Sequence, residues 1–233
     1  MRVGVRTDIG RLRELNEDSY FVGQGLYAVA DGMGGHDAGE VASAIAVETL
    51  NEMGVDGSDP MGSLERVVVE INRRIYERSR LDGSCAGMGT TLTILFTRGS
   101  RAYIAHVGDS RAYLARGDGL KQVTEDHSVV GELLRRGGIT EVEARFHPQR
   151  NVITRALGVF PLVKPDLLPL DILEGDTFLL CTDGLTNMLE DREIGEVLAK
   201  FDEPQIAADL LVEMANARGG FDNITVLVVK VEL

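Results

Sequence analysis

Asp222-Asn223-Ile224-Thr225-Val226-Leu227-Val228-Val229-Lys230-Val231 decides how this chain must fold. Successive side chains of a strand point to opposite faces. Here one face carries Ile224, Val226 and Val228, and the other carries Leu227, Val229 and Val231. A strand that is apolar on both faces has to be covered on both. Two packed sheets with helices outside them give that cover, and the rest of the chain supplies the parts.

Strand signals appear at 3–7, 19–22 and 26–30, and again at 90–97, 101–107, 111–115, 162–168 and 177–181. Helical spacing of apolar residues marks 38–53 and 64–80, with a Gly-, Asp- and Pro-rich surface loop over 51–63. Two further helices are expected at 192–200, with Asp191 as N-cap, and at 204–217, where Pro204 suits a first turn. The Arg98-Gly99-Ser100 spacer suits an antiparallel hairpin, and Gly108-Asp109-Ser110 joins the next two strands by a turn. The charged stretch 128–150 reads as a helical insertion, with a capping box at Thr140-Glu141-Val142-Glu143. The expected fold is an α/β layered (α-β-β-α) sandwich, two antiparallel sheets flanked by helices, over one domain of 233 residues.

Composition narrows the function. Apolar residues make up 44%, enough for a sizeable core, and no apolar run approaches the ~20 residues of a membrane span. The first residues lack an apolar leader core, and Cys85 and Cys181 are the only cysteines, so a cytoplasmic protein without a disulfide framework is expected. Acidic residues outnumber basic ones by 37 to 24, which excludes nucleic acid as the main partner. Most of this excess reads as solvated surface and part as metal-holding.

Four aspartates sit where apolar strands meet turns: Asp31 after Tyr27-Ala28-Val29-Ala30, Asp109 after Ile104-Ala105-His106-Val107-Gly108, Asp183 after Phe178-Leu179-Leu180-Cys181-Thr182, and Asp222 before the final strand. Glu17 and Asp18 join them. A single Asp-Gly makes a turn and nothing more; four at strand ends make a site. No EF-hand pattern and no zinc-like histidine spacing occurs. An all-oxygen set favours Mg²⁺ or Mn²⁺, and dispersed carboxylates suit a two-metal centre with ions ~3.5–4 Å apart. Arg13 offers a guanidinium fork to a phosphate, though an arginine beside acids is ordinarily a surface ion pair. Cysteine-nucleophile, aspartyl-phosphate and P-loop chemistries fail on spacing. The residue six after Cys85 is Thr91 and after Cys181 is Asn187, not arginine, and neither Asp-x-Asp nor a P-loop occurs.

Eight segments in order are Thr7-Asp8-Ile9-Gly10 with Arg13, Asn16, Glu17 and Asp18; Val29-Ala30-Asp31-Gly32-Met33-Gly34-Gly35-His36; Gly89-Thr90-Thr91; His106-Val107-Gly108-Asp109-Ser110-Arg111; Thr124-Glu125-Asp126-His127-Ser128; Thr154-Arg155-Ala156-Leu157-Gly158; Cys181-Thr182-Asp183-Gly184-Leu185; and Asp222-Asn223-Ile224-Thr225. Together they resemble the metal-dependent serine/threonine protein phosphatases of the PP2C type in their compact bacterial form. The resemblance implies that Asp31 bridges two metal ions and that Gly32 lends its carbonyl to one. Asp183 and Asp222 would hold the other. Glu17 would act through metal-bound water, with Asp18 supporting that shell. Asp109 with Asp183 would form a third, weaker position, and Asn223 would orient Asp222 or a water. Arg13 would bind the substrate phosphate, and a hydroxide between the ions would attack phosphorus in line, without a phosphoenzyme.

The resemblance further implies phosphoproteins as substrates, an opposing serine/threonine kinase as a partner, a monomer, and a flap over about 128–150. Animal members place a histidine directly after the first Asp-Gly; here Met33 stands there. The leaving oxygen would then take its proton from His36 or, preferably, from a metal-bound water. His106 is expected to be a satisfied core residue, His127 part of the flap base and His147 solvated. A catalytically inactive binding protein of this fold would have lost metal ligands, and every expected carboxylate is present.

Overall fold

The computed structural model describes residues 1–35, 38–117 and 119–232. In chain order its elements are β1 (Arg2–Asp8), β2 (Asp18–Val22), β3 (Leu26–Met33), α1 (Ala38–Met53), α2 (Pro60–Leu81), β4 (Gly89–Thr90), β5 (Leu92–Arg98), β6 (Arg101–Val107), β7 (Arg111–Arg116), β8 (Gly119–Gln122), α3 (Val129–Arg135), α4 (Glu141–Arg145), β9 (Asp166–Asp171), β10 (Thr177–Cys181), α5 (Asp183–Thr186), α6 (Asp191–Lys200), α7 (Pro204–Ala217) and β11 (Ile224–Lys230). One sheet runs β1-β11-β10-β7-β8. The other runs β2-β3-β5-β6-β9, with β4 paired to β3. Every pairing is antiparallel.

The two-faced strands build three apolar layers. Between the sheets, Tyr27, Val29, Leu95 and Ile104 meet Phe178, Leu180, Leu227 and Val229. Outside one sheet, Ala28, Ile94 and Leu92 pack under Leu50, Leu64, Val68 and Ile71 of α1 and α2. Outside the other, Leu179, Val226 and Val228 pack under Ile194, Leu211 and Val212 of α6 and α7. The alternation within β11 thus places its residues in two different cores, as a both-faces-apolar strand requires.

Several local expectations change. The second helix begins at Pro60 rather than at 64, because Asp59 caps it by accepting the Gly62 N–H at 3.1 Å and Pro60 needs no partner for an N–H. Strand β9 lies at Asp166–Asp171 rather than 162–168; the 159–162 stretch is exposed instead. Glu190, not Asp191, caps α6, while Asp191 accepts the Tyr113 hydroxyl. The residues after Cys181 form the short helix α5 rather than a simple turn.

The Gly108-Asp109-Ser110 turn is not a hairpin. It carries the chain from β6 in one sheet to β7 in the other, with Gly108 at φ +116° and its hydrogen face against Thr91. The Thr140 capping box is present on α4.

The edge strand β1 is covered rather than left open. Gln205 of α7 donates to Val5 O at 3.0 Å and accepts from Val5 N at 3.1 Å, which satisfies an edge that could otherwise pair with another chain. This close approach depends on Gly4, where an added Cβ would fall 2.2 Å from Pro204 C and 2.3 Å from Gln205 N. Gly4→Ala should lower stability by about 1–3 kcal/mol, read as a lower urea midpoint; an unchanged midpoint would show that α7 can lift off β1 freely.

Candidate metal centre

The site lies where the inter-sheet core stops being apolar. Along β3 the residues facing the second sheet are Tyr27, Val29 and then Asp31. Along β11 they are Val229, Leu227 and then Thr225, and along β10 Phe178, Leu180 and then Thr182. At the same end Asp18 stands directly opposite Asp31 in the β2–β3 ladder. Like charges directly opposite on one sheet face repel, so this pair needs compensation from outside the ladder.

Part of it comes across the sandwich. Thr182 Oγ1 and Thr225 Oγ1 donate to Asp18 Oδ2 at 2.8 and 2.7 Å, and Thr225 N donates to Thr182 Oγ1 at 2.9 Å. Thr7 continues the chain to Thr225 at 2.8 Å, and Asn16 Nδ2 donates to Thr7 Oγ1 at 2.9 Å. Asp18 Oδ1 is buried and has no hydrogen-bond partner among the described residues. These threonines carry no distinctive sequence signal beyond lying within three residues of an acid at strand ends. Only the register shows that they face inward.

Strand β3 runs through Asp31-Gly32 to Met33 instead of turning at Asp31. The bend is replaced by main-chain anchoring. Asp31 N donates to Thr91 Oγ1 at 2.9 Å, and Asp31 O accepts from Thr91 N and Thr90 Oγ1, both at 2.9 Å. Thr91 also meets Ser110 Oγ at 2.7 Å, tying β3 to the crossover beside Asp109. Gly32 N donates to Glu17 O at 3.1 Å, and a Cβ at Gly32 would lie 2.1 Å from Gly39 O. A Cβ at Gly39, in turn, would be 2.4 Å from Glu17 Oε1. The Glu17 carboxylate therefore lies against the first turn of α1, where the helix dipole favours negative charge.

Asn223 takes a different place from the one expected. Its side chain accepts from Glu17 N at 2.8 Å and donates to Ile9 O and Leu15 O at 3.0 and 2.9 Å. It fixes the 9–17 segment; only its main-chain N–H reaches Asp222, at 2.9 Å. Arg13 Nη2 donates to Asp222 Oδ2 at 2.8 Å, with the arginine side chain 47% exposed. Asn187 Nδ2 donates to Asp183 Oδ2 at 3.0 Å, a contact that no local sequence signal marks. His36 lies outside the described residues. His106 is a satisfied core residue between Thr93 Oγ1 and Glu125 O; burial and His127 push its pKa down to about 4. His147 is half-buried rather than solvated, accepting from Gln149 N.

Electrostatics show that the aspartates form one cluster. Burial, then the charges of Asp18, Asp183, Asp109 and Asp222, hold Asp31 well above the ordinary carboxyl range. Burial raises Asp18 to about 7, opposed by its two threonine hydroxyls. Burial and Asp183 raise Asp109 to about 8; burial and Asp222 raise Asp183 to about 6. Among the described residues no three His, Cys, Asp or Glu side chains close into a finished cation cage; Asp222 is engaged by Arg13 and Asp183 by Asn187. The donor set nonetheless fits a hard divalent cation. It is all oxygen, crowded, anionic, and includes the unpartnered buried Asp18 Oδ1.

Comparison with known proteins agrees with this geometry. The family profile "Protein phosphatase 2C" matches residues 11–224. The chain is 42% identical to "Serine/threonine phosphatase stp" of Listeria monocytogenes, over 100% of this chain and 97% of that protein. It is also 42% identical to "Serine/threonine protein phosphatase PstP" of Mycobacterium tuberculosis, where it covers 99% of this chain and 45% of that longer protein. The crystal structure of that Mycobacterium tuberculosis phosphatase superposes with a TM-score of 0.95 at 41% identity, covering 100% of this chain and 99% of that one. A crystal structure of a PstP catalytic domain "in complex with 2 Manganese ions" gives 0.92 at 39% identity, covering 99% and 98%. The layered sandwich of two antiparallel sheets flanked by helices is the fold shared with these structures. This chain belongs to the protein phosphatase 2C family.

The raised carboxyls make a pH test possible. In metal-free protein Asp183, Asp18 and Asp109 keep protons in the folded state up to about pH 6, 7 and 8, but ionise near pH 4 once unfolded. The folded state therefore holds more protons in this window. The stability this confers is full below about pH 4 and is lost as pH rises through 6 to 8. EDTA-stripped protein should melt at a lower temperature at pH 8.5 than at pH 5.5, and excess Mg²⁺ should raise the melting temperature more at pH 8.5. Equal metal effects at both pH values would mean that the carboxylates do not share a cation.

Proposed function

We propose that this protein hydrolyses phosphoserine and phosphothreonine on other proteins in a Mg²⁺- or Mn²⁺-dependent reaction. The observation that carries this reading is the crowded, partly buried aspartate cluster at the end of the inter-sheet core in a chain of this family. In this reading Asp31 and the Gly32 carbonyl would serve the two core ions together with Asp183 and Asp222, Glu17 and Asp18 would support them, and Asp109 with Asp183 would serve a third. When bound, the ions supply positive charge that activates a water and neutralises the phosphoryl oxygens.

The chain's own residues position the reactants. Arg13 is 47% exposed, and among the described residues Asp222 bonds its Nη2, leaving the rest of its fork to a phosphate. Thr182 and Thr225 fix the orientation of Asp18, Asn187 that of Asp183, and Asn223 holds the segment that delivers Arg13 and Glu17. The leaving oxygen takes its proton from His36 or from water. The same reading makes residues 1–233 one catalytic domain, with 128–150 as a flap beside the site. It also makes the protein a cytoplasmic monomer that opposes a serine/threonine kinase. In support, both cysteines are free and buried, and no described helix is long and apolar enough to cross a membrane.

The direct test is hydrolysis of p-nitrophenyl phosphate and of a phosphothreonine peptide, with EDTA and then with Mn²⁺ or Mg²⁺ restored. Activity should vanish with EDTA and return with metal; no turnover by metal-loaded protein would overturn the reading. Asp31→Asn should lower kcat/KM by a factor on the order of 10³ while the metal-free protein melts no lower than wild type, because the change relieves charge crowding rather than emptying core. Arg13→Ala should raise KM for phosphate esters roughly tenfold or more, the worth of a charged hydrogen bond, with metal affinity retained. An unchanged KM would leave Arg13 as only the ion-pair partner of Asp222.

A further inference from the structure

Asp109 enters the cluster from a turn held by neighbouring elements: Thr91 Oγ1 meets Ser110 Oγ at 2.7 Å and Thr93 Oγ1 donates to Ser110 O at 3.3 Å on one side of it. At Gly108 the backbone is left-handed, and an added Cβ would meet Thr91 Cβ at 2.6 Å, so the turn carries no side chain at that position. On the Gly108 side it is gripped by His127, which is 3% exposed. His127 N donates to Gly108 O at 2.7 Å, and Gly108 N donates to His127 Nδ1 at 3.0 Å. Because Nδ1 accepts, the ring proton sits on Nε2. Nε2 donates to Asp166 Oδ2 at 3.1 Å, and Asp166 Oδ1 accepts from Arg155 Nη1 at 2.6 Å. Burial keeps the His127 ring neutral, as an accepting Nδ1 requires.

The same residue also closes the base of the 128–150 segment. His127 O accepts from Thr154 N at 2.7 Å, Ser128 bridges to Ile153, and the Ser128 side chain caps α3. One histidine therefore touches the turn before Asp109, the entry to the segment and, directly and through Asp166–Arg155, its exit.

We propose that His127 is a positioning residue for Asp109, coupling the seating of the flap to the Gly108–Asp109 turn and so to the cation held on the Asp109 side of the cluster. The cation part of this inference rests on the phosphatase reading above; the coupling of flap to turn does not. Outer partners that orient a ligand typically change metal affinity by about 10–100-fold when removed.

Two isosteric variants separate this role from plain structural support. In His127→Asn the side-chain oxygen lies where Nδ1 accepts from Gly108. In His127→Gln the amide reaches the Nε2 position and leaves Gly108 N without its acceptor. Three quantities are measured on wild type and both variants: hydrogen exchange at the Gly108 amide in metal-free protein, Mn²⁺ binding by calorimetry, and phosphopeptide kcat and KM against metal concentration. The expected result is faster Gly108 exchange in H127Q. Its most weakly bound Mn²⁺ should lose about tenfold or more in affinity, with a matching rise in the metal needed for half-maximal turnover. H127N should recover most of each change at a similar melting temperature. Equal behaviour of the two variants, or affinity lost from every ion in step with melting temperature, would overturn the proposal. If wild type binds no Mn²⁺, the phosphatase reading fails on its own, and equal Gly108 exchange in H127N and H127Q would then overturn the coupling separately.

Discussion

The opposition of Asp18 and Asp31 across the β2–β3 ladder is the constraint around which this end of the molecule is arranged. Two carboxylates on one sheet face, at the edge of a dry core, are unfavourable unless something answers their charge. The second sheet answers with hydroxyls: Thr182 and Thr225 both donate to Asp18 Oδ2, and Thr7 and Asn16 extend the chain outward. Those bonds also fix how the sheets meet, because they can form only when β10 and β11 end level with β2. Packing in the apolar core and chemistry at its mouth thus share one register.

A cation is the other answer to the crowding, and the site is built so that it cannot collapse around one carboxylate alone. Asp31 is pinned by its main chain to Thr90 and Thr91, Asp109 arrives by the crossover that links the sheets, and Asp183 opens α5 directly after β10. Asp18, Asp31 and Asp183 belong to different regular elements, while Asp109 and Asp222 sit in the segments that enter β7 and β11. Precision therefore comes from the sandwich rather than from any one loop. The cluster's raised pKa values and its suitability for hard cations have the same origin, burial of like charges with few neutralising donors nearby. Among the described residues, an arginine bonds Asp222 and an asparagine bonds Asp183.

Much of this was legible in the chain. The two-faced β11 run required cover on both sides, and the three cores supply it. Helices α1 and α7 fall at their expected bounds because alanine- and leucine-rich apolar spacing and a first-turn proline are local signals. Helix α2 starts at Pro60, four residues before its apolar spacing begins, because Asp59-Pro60 is a capping signal inside a Gly- and Asp-rich stretch. The carboxylates could be picked out as strand-end residues, and the family could be matched on their order.

Register and sheet assignment were not legible. Nothing local in Gly108-Asp109-Ser110 distinguishes a hairpin from a crossover; that depends on which sheet β7 joins. Nothing local shows that Thr182 and Thr225 point at Asp18, that Asn223 serves the 9–17 segment instead of Asp222, or that His127 grips Gly108 from both sides. By itself the sequence determined the residue chemistry and the layered architecture, because side-chain type and apolar period act over a few neighbours. The tertiary structure decided which acids crowd together and which side chains steady them, because both depend on contacts between residues as far apart as 18 and 225.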